Sequence, residues 1–168
     1  DVVTGVQTCP LPISAAMVLG LTAPAAFAQD CPTWQAGDLT ILNAWSRATI
    51  GAERPAVFYA DIVNSGDEDD ALIGIATPVA GMPMLHETVV TDGVATMPHA
   101  SRIPVSAGAT VGLSPGGYHG MLMNLNAALT EGESFPLTLT FERAGDVAID
   151  VGIAAVTARG PVCQTDDS

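Results

Sequence analysis

The stretch Thr110-Val111-Gly112-Leu113-Ser114-Pro115-Gly116-Gly117-Tyr118-His119-Gly120-Met121-Leu122-Met123-Asn124-Leu125 holds two short runs, Thr110–Leu113 and His119–Leu125, either side of a Ser114-Pro115-Gly116-Gly117 turn signal. Short apolar or alternating runs bounded by Gly, Pro, Asn and Asp read as strands. The pattern recurs outward from here in Leu39–Trp45, Ala56–Val63, Ala71–Thr77, Met84–Val90, Val94–Met97, Pro136–Phe141 and Val147–Val156. Further turn signals stand at Asn64-Ser65-Gly66-Asp67, Asp92-Gly93 and Thr130-Glu131-Gly132-Glu133. No window carries a helical stripe beyond one turn at Asn126–Leu129. Nine strands at this spacing predict an all-β fold, an antiparallel sandwich or barrel. No repeat, charge block or low-complexity linker divides residues 29–168, so a single domain is expected.

Before that domain, Ile13–Ala28 is an apolar segment ending in Ala26-Phe27-Ala28, the small-x-small pattern of a signal-peptide cleavage site, although Asp1 to Leu11 lacks the usual positive residues. Pro24 interrupts the segment, which falls short of the roughly 20 apolar residues of a membrane span. The expectation is a signal peptide over residues 1–28, an exported mature chain starting at Gln29, and no membrane insertion of that chain. Residues 29–168 hold five arginines, no lysine and 17 acidic residues, a formal charge of −12. Nucleic acids and anionic membranes recruit Lys/Arg patches, so neither is expected as a partner. Cys31 and Cys163 form an even pair in an exported chain and read as a disulfide joining the ends of the domain.

The soft side chains are concentrated. All three histidines (His86, His99, His119) and all five methionines after residue 28 (Met82, Met84, Met97, Met121, Met123) lie between residues 82 and 123. Residues two apart in a strand share a face, which aligns His119 with Met121 and then Met123. The segment from His86 to Met97 reads as a hairpin about Asp92-Gly93, the strongest two-residue turn signal. Pairing Thr91 with Val94 puts Thr88 opposite Met97 and makes His86 its diagonal neighbour, within reach of a long side chain. A three-residue turn would send Met97 to the other face. Two imidazoles and two thioethers, with no carboxylate, suit Cu(I) rather than magnesium, calcium or zinc. Paired cysteines would leave the thioethers as the soft donors in an oxidising compartment.

The spacing of His86, ten residues, Met97, twenty-one residues, His119, one residue, Met121 resembles the metal-binding pattern of the periplasmic copper chaperones of the PCuAC type. The flanking text is similar as well: Ala44-Trp45-Ser46-Arg47-Ala48, Leu85-His86-Glu87, Ile103-Pro104, Pro115-Gly116-Gly117-Tyr118-His119-Gly120-Met121-Leu122-Met123 and Leu137-Thr138-Leu139-Thr140-Phe141. The likeness covers about residues 38–157. It implies a cupredoxin-like β-sandwich that binds one Cu(I) through His86, Met97, His119 and Met121. It further implies delivery of that ion to a copper-accepting protein, a cytochrome oxidase subunit or its assembly factor, in a Gram-negative periplasm. Two departures stand out. Met97-Pro98-His99 replaces the family's usual arginine after the second ligand, which makes His99 an auxiliary candidate. The His/Met-rich C-terminal tail that some members use for a second, Cu(II) site is missing.

Taken singly, each of these residues has a plainer reading. A lone methionine usually fills a core and a lone histidine usually satisfies a hydrogen bond. Met82 and Met84 share a face with His86 and could replace a ligand; Met123 is assigned to the core or its rim. Trp45 and Tyr118 are expected to pack the sandwich, and Arg47 to serve a carboxylate or a loop carbonyl. The Asp67–Asp70 run lacks calcium-loop spacing and reads as a solvated loop. Two other functions compete with the chaperone. A blue-copper electron carrier needs a cysteine thiolate near the histidines, and none is there. A metal-free structural sandwich would leave the clustering of His and Met without purpose. Hydrolase, zinc-protease and dinucleotide motifs are absent, so no enzyme is expected.

Overall fold

The computed structural model describes residues 31–163, so the signal-peptide reading lies outside the described residues. Twelve strands follow one another: β1 Trp34–Ala36, β2 Leu39–Arg47, β3 Ala56–Asn64, β4 Asp70–Ala76, β5 Ala80–Glu87, β6 Val89–Thr91, β7 Val94–Thr96, β8 Ile103–Val105, β9 Thr110–Leu113, β10 Tyr118–Leu125, β11 Ser134–Phe141 and β12 Gly145–Ala154. Ten of them form one curled sheet in the order β5-β10-β3-β2-β12-β11-β4-β8, with β1 beside β2 and β9 beside β3. No described residue is helical, and the chain at Asn126–Leu129 is an irregular strap rather than the expected turn of helix. There Thr49 and Leu129 hold one another, the Thr49 N–H donating to the Leu129 carbonyl and the Leu129 N–H to the Thr49 hydroxyl.

The sheet encloses one main core. Phe58, Phe141, Ile41, Ile62, Leu72, Ile103, Leu122, Leu137 and Leu139 are all sealed from solvent and belong to a single cluster. Strand alternation produces it: in β10, Gly120 and Leu122 point inward while His119 and Met121 point outward. The sandwich is therefore as expected, with one exception to its antiparallel character. β12 runs parallel to β2, pairing Gly152 with Trp45, Ile153 with Ser46 and Ala154 with Arg47.

The opening stretch of sequence is folded differently from a simple hairpin. β9 and β10 both pair with β3, Leu113 opposite Ala60 and Gly120 opposite Phe58, so the two lie end to end along one strand. The Ser114–Gly117 loop bulges out between them and closes through the Ser114 and Gly117 N–H groups, which donate to the Tyr118 and Ser114 carbonyls. The long run Met84–Val90 is likewise broken at Thr88, where the chain leaves the main sheet and forms the separate β6–β7 ribbon. A disulfide joins Cys31 to Cys163 across a sequence separation of 132. No helix among the described residues is long and apolar enough to cross a membrane.

Candidate metal centre

The pairing of β5 with β10 assembles the soft side chains. His86 lies opposite His119, Met84 opposite Met121 and Met82 opposite Met123. Of the residues between them, Leu85, Gly120 and Leu122 are buried and Pro83 half-buried, so the three His and Met pairs form one ladder on the outer face. None of the five methionines belongs to a core cluster, so core packing does not explain them, and of the two places expected for Met123, core or rim, the structure gives the rim. Met84, Met121 and Met123 are half-buried, Met82 exposed.

The two imidazole rings are set up alike. Their centroids lie 5.9 Å apart. His86 Nδ1 is 3.0 Å from the Met97 carbonyl oxygen, and His119 Nδ1 is 3.1 Å from the Gly117 carbonyl oxygen. A carbonyl only accepts, so each Nδ1 carries the proton and donates it, leaving the lone pair on Nε2. Backbone carbonyls fix metal-ligating histidines in this way. His86 Nε2 is buried and has no hydrogen-bond partner, an orphan of the kind that calls for an explanation. His119 is 4% exposed.

The β6–β7 ribbon brings in the third strand of the site. Thr91 pairs with Val94, Val90 with Ala95 and Val89 with Thr96, as expected for a two-residue turn. Asp92 and Gly93 supply the two positive φ angles, 52° and 79°, that a type I′ turn requires. The register continues to the root of the ribbon, where His86 bridges to His99. The Glu87 N–H donates to the Pro98 carbonyl there, and the Ala100 N–H to the Leu85 carbonyl. Met97 thus enters through its carbonyl on His86, while its side chain remains half exposed, at 52%. The His99 ring is 6.2 Å from the His86 ring by centroids and stands edge-on to it. Among the described residues no group of three or more His, Cys, Asp and Glu side chains is placed to hold a metal ion. Further donors would have to be the thioethers, and the thiols of Cys31 and Cys163 are tied up in their disulfide.

Gly120 supports the site from beneath. A Cβ there would stand 2.9 Å from Phe58 Cδ1 and 3.1 Å from Ile75 Cδ1, so only glycine lets β10 press onto the core with His119 and Met121 on either side. Gly120→Ala is expected to cost about 1–3 kcal/mol of stability, as overpacking does. Urea denaturation measures this as a lower midpoint at unchanged slope.

The same outer face continues across the sheet to Trp45, which packs as expected, but outside the main core. Val57 pairs with Met121, and Trp45 with Tyr59. Trp45, Tyr59 and Ala154 form a small second cluster outside the main core. The rings of Trp45 and Tyr59 are 4.9 Å apart by centroids, and the Arg47 guanidinium covers both, at 5.7 and 5.8 Å. Arg47 Nε donates to the Ala158 carbonyl, the loop-carbonyl role expected of it. Burial pushes the Tyr59 phenol above its ordinary pKa, and the Arg47 charge opposes that rise. The parity change that turns Trp45 outward comes from the irregularity between Leu42 and Trp45, where Asn43 adopts φ 54°. That φ is uncommon but tolerated by asparagine, the one local signal that could have revealed it.

Residues 39–153, about two thirds of the chain, match the family described as "Putative lipoprotein LpqE-like". The chain belongs to the LpqE-like family. "Putative lipoprotein Lxx21020" of Leifsonia xyli subsp. xyli is 37% identical over 131 residues, 76% of this chain and 78% of that protein. The LpqE-like fold is also that of the PCuAC domains, as the sequence resemblance implied. The copper-bound PCuAC domain from PmoF2 superposes with a TM-score of 0.64 at 28% identity, covering 74% of this chain and 98% of that one. The Cu(I) form of DR1885 from Deinococcus radiodurans gives 0.57 at 28% identity, over 79% and 87% of the two chains.

Proposed function

We propose that this LpqE-like protein is an exported copper metallochaperone that holds one Cu(I) tightly at His86, Met97, His119 and Met121 and passes it to a copper-accepting protein. PCuAC-type domains are copper-binding chaperone domains rather than enzymes, and solved relatives are described with copper and with Cu(I) bound. The observation that carries the reading is the matched pair of imidazoles. Each is locked by a backbone carbonyl so that its Nε2 lone pair is free, and one of those atoms is buried without a partner. Thioethers beside them favour Cu(I) over harder ions. Met121 belongs to the same strand face as His119, and Met97 hangs from the carbonyl that orients His86.

In this mechanism the protein supplies a preset, largely desolvated nitrogen pair and a weaker, more exposed sulfur pair. An incoming partner's donors can displace the thioethers first, Met97 being the more open, and the imidazoles last, so a bare ion never forms. We assign the recipient as the copper centre of cytochrome oxidase or its assembly factor, and the compartment as the periplasm, reached by cleavage of residues 1–28. Family relatives named as lipoproteins support export.

An anaerobic Cu(I) titration against a competing chelator tests the site. Wild type is expected to bind one equivalent tightly, and Met97→Ala combined with Met121→Ala to bind it much more weakly. Binding indifferent to both methionines would remove the thioethers from the site.

A further inference from the structure

The histidine pair and its two proposed thioethers leave three methionines of the ladder unused. Met84 and Met82 follow His86 down β5 at two-residue steps, and Met123 pairs with Met82. The sheet holds this group on the solvent side, beside and below Met121. From these positions we infer a second soft-metal site, formed by Met82, Met84 and Met123, that takes a monovalent thiophilic cation, Cu(I) or Ag(I), on the two rungs below the histidines.

Cross-strand neighbours place their Cβ atoms about 4.5–5.5 Å apart, and diagonal ones lie within reach of long side chains. Methionine adds three rotatable bonds. Three sulfurs from adjacent positions can therefore close on one ion without moving either strand. Successive rungs lie about 6.8 Å apart, two residues at the antiparallel rise, so the second ion would be distinct from the first yet close enough for transfer. The donor set is neutral and all sulfur, which selects soft monovalent ions and rejects zinc, calcium and magnesium. The protein's formal charge of −13 favours cations at its surface. Core packing does not account for these residues, since none joins a core cluster and Met82 is 46% exposed. Met123 has no strand partner on its far side, because β3 begins at Ala56, the partner of Leu122.

The inference goes beyond the first site, and its test separates the two. The protein carrying methionine labelled with 13C at the methyl group is titrated anaerobically with Ag(I), a redox-inert probe, and followed by NMR alongside the histidine ring signals. The first equivalent is expected to move the His86 and His119 rings with the Met97 and Met121 methyls. The second is expected to move Met82, Met84 and Met123. Met82→Leu with Met123→Leu should keep the first response and lose the second equivalent entirely. Methyl groups of Met82 and Met123 that never shift, or that shift only with the first equivalent, would overturn the second site. So would retention of the second equivalent by the double variant. Histidine rings that stay unmoved would instead overturn the first site, whatever the ladder does.

Discussion

Replacing His119 or His86 by alanine is expected to lower Cu(I) affinity by more than about 100-fold, beyond the 10- to 100-fold that loss of a supporting partner costs a metal site. Two features make the effect large. Both rings are oriented before the ion arrives, His86 by the Met97 carbonyl and His119 by the Gly117 carbonyl, so little ordering cost is left to offset the bonds formed. His86 Nε2 is also buried without a partner. An unmet polar atom of that kind costs about 1–3 kcal/mol in the apo protein, a penalty the ion removes. The same reasoning gives His86→Ala a divergent signature: the apo protein should lose less stability than a buried side-chain truncation usually costs, while affinity collapses. His99→Ala is the control, since its exposed ring stands edge-on to His86 and is locked by no hydrogen bond among the described residues. Chelator competition measures affinity and urea denaturation stability. Equal losses for all three histidines would sink the assignment.

Breaking the disulfide, by Cys31→Ser with Cys163→Ser, is expected to cost about 2–5 kcal/mol, the usual range for a small exported domain. The bridge closes a loop spanning nearly all the described chain, with a sequence separation of 132, and loop-closure entropy grows with that length. Its loss should be felt first at the near end of the sandwich. The strap after β12 packs Ala158 against Trp45 and Tyr59 and offers its carbonyl to Arg47, and Cys163 anchors that strap. The His86–His119 pair sits on β5 and β10, the first two strands of the sheet order, whereas the strap packs against residues of β2 and β3. The variant should therefore unfold at lower urea, with an early change in tryptophan emission, yet bind the first equivalent of Cu(I) while folded. The urea midpoint and the Cu(I) stoichiometry together check it; an unchanged midpoint would mean that strain cancels the entropic gain.

The sequence made some of this legible through local rules. Asp92-Gly93 announces its turn because both residues tolerate positive φ, and from that turn the register at His86 follows by counting. The alternation of His119, Met121 and Met123 against Gly120 and Leu122 is equally local. Pairings between distant segments carry no such signal. Nothing near β2 or β12 marks their parallel union, which joins residues more than a hundred positions apart. The match of Met84 to Met121 depends on a register set by loops and core contacts between β5 and β10, not by a turn. Strands β1 and β8 were missed because each is three residues long, and β8 contains Pro104, which argues against a strand except at an edge. β8 is indeed the last strand of the sheet order. The histidine tautomers were out of reach for a different reason: they depend on which carbonyls the folded backbone presents.

The β6–β7 ribbon pairs with no strand of the main sheet, and all six of its strand residues are exposed. Local opening of such a unit costs far less than global unfolding, because little apolar contact is given up. Of the donors proposed for the first site, Met97 alone lies outside the main sheet, at the foot of this separately opening unit, while His86, His119 and Met121 belong to the sheet. The lifetime of the bound ion is then set by two clocks, a fast one for the ribbon and a slow one for the sandwich, coupled through the Met97 carbonyl that holds the His86 ring, and amide hydrogen exchange can time both.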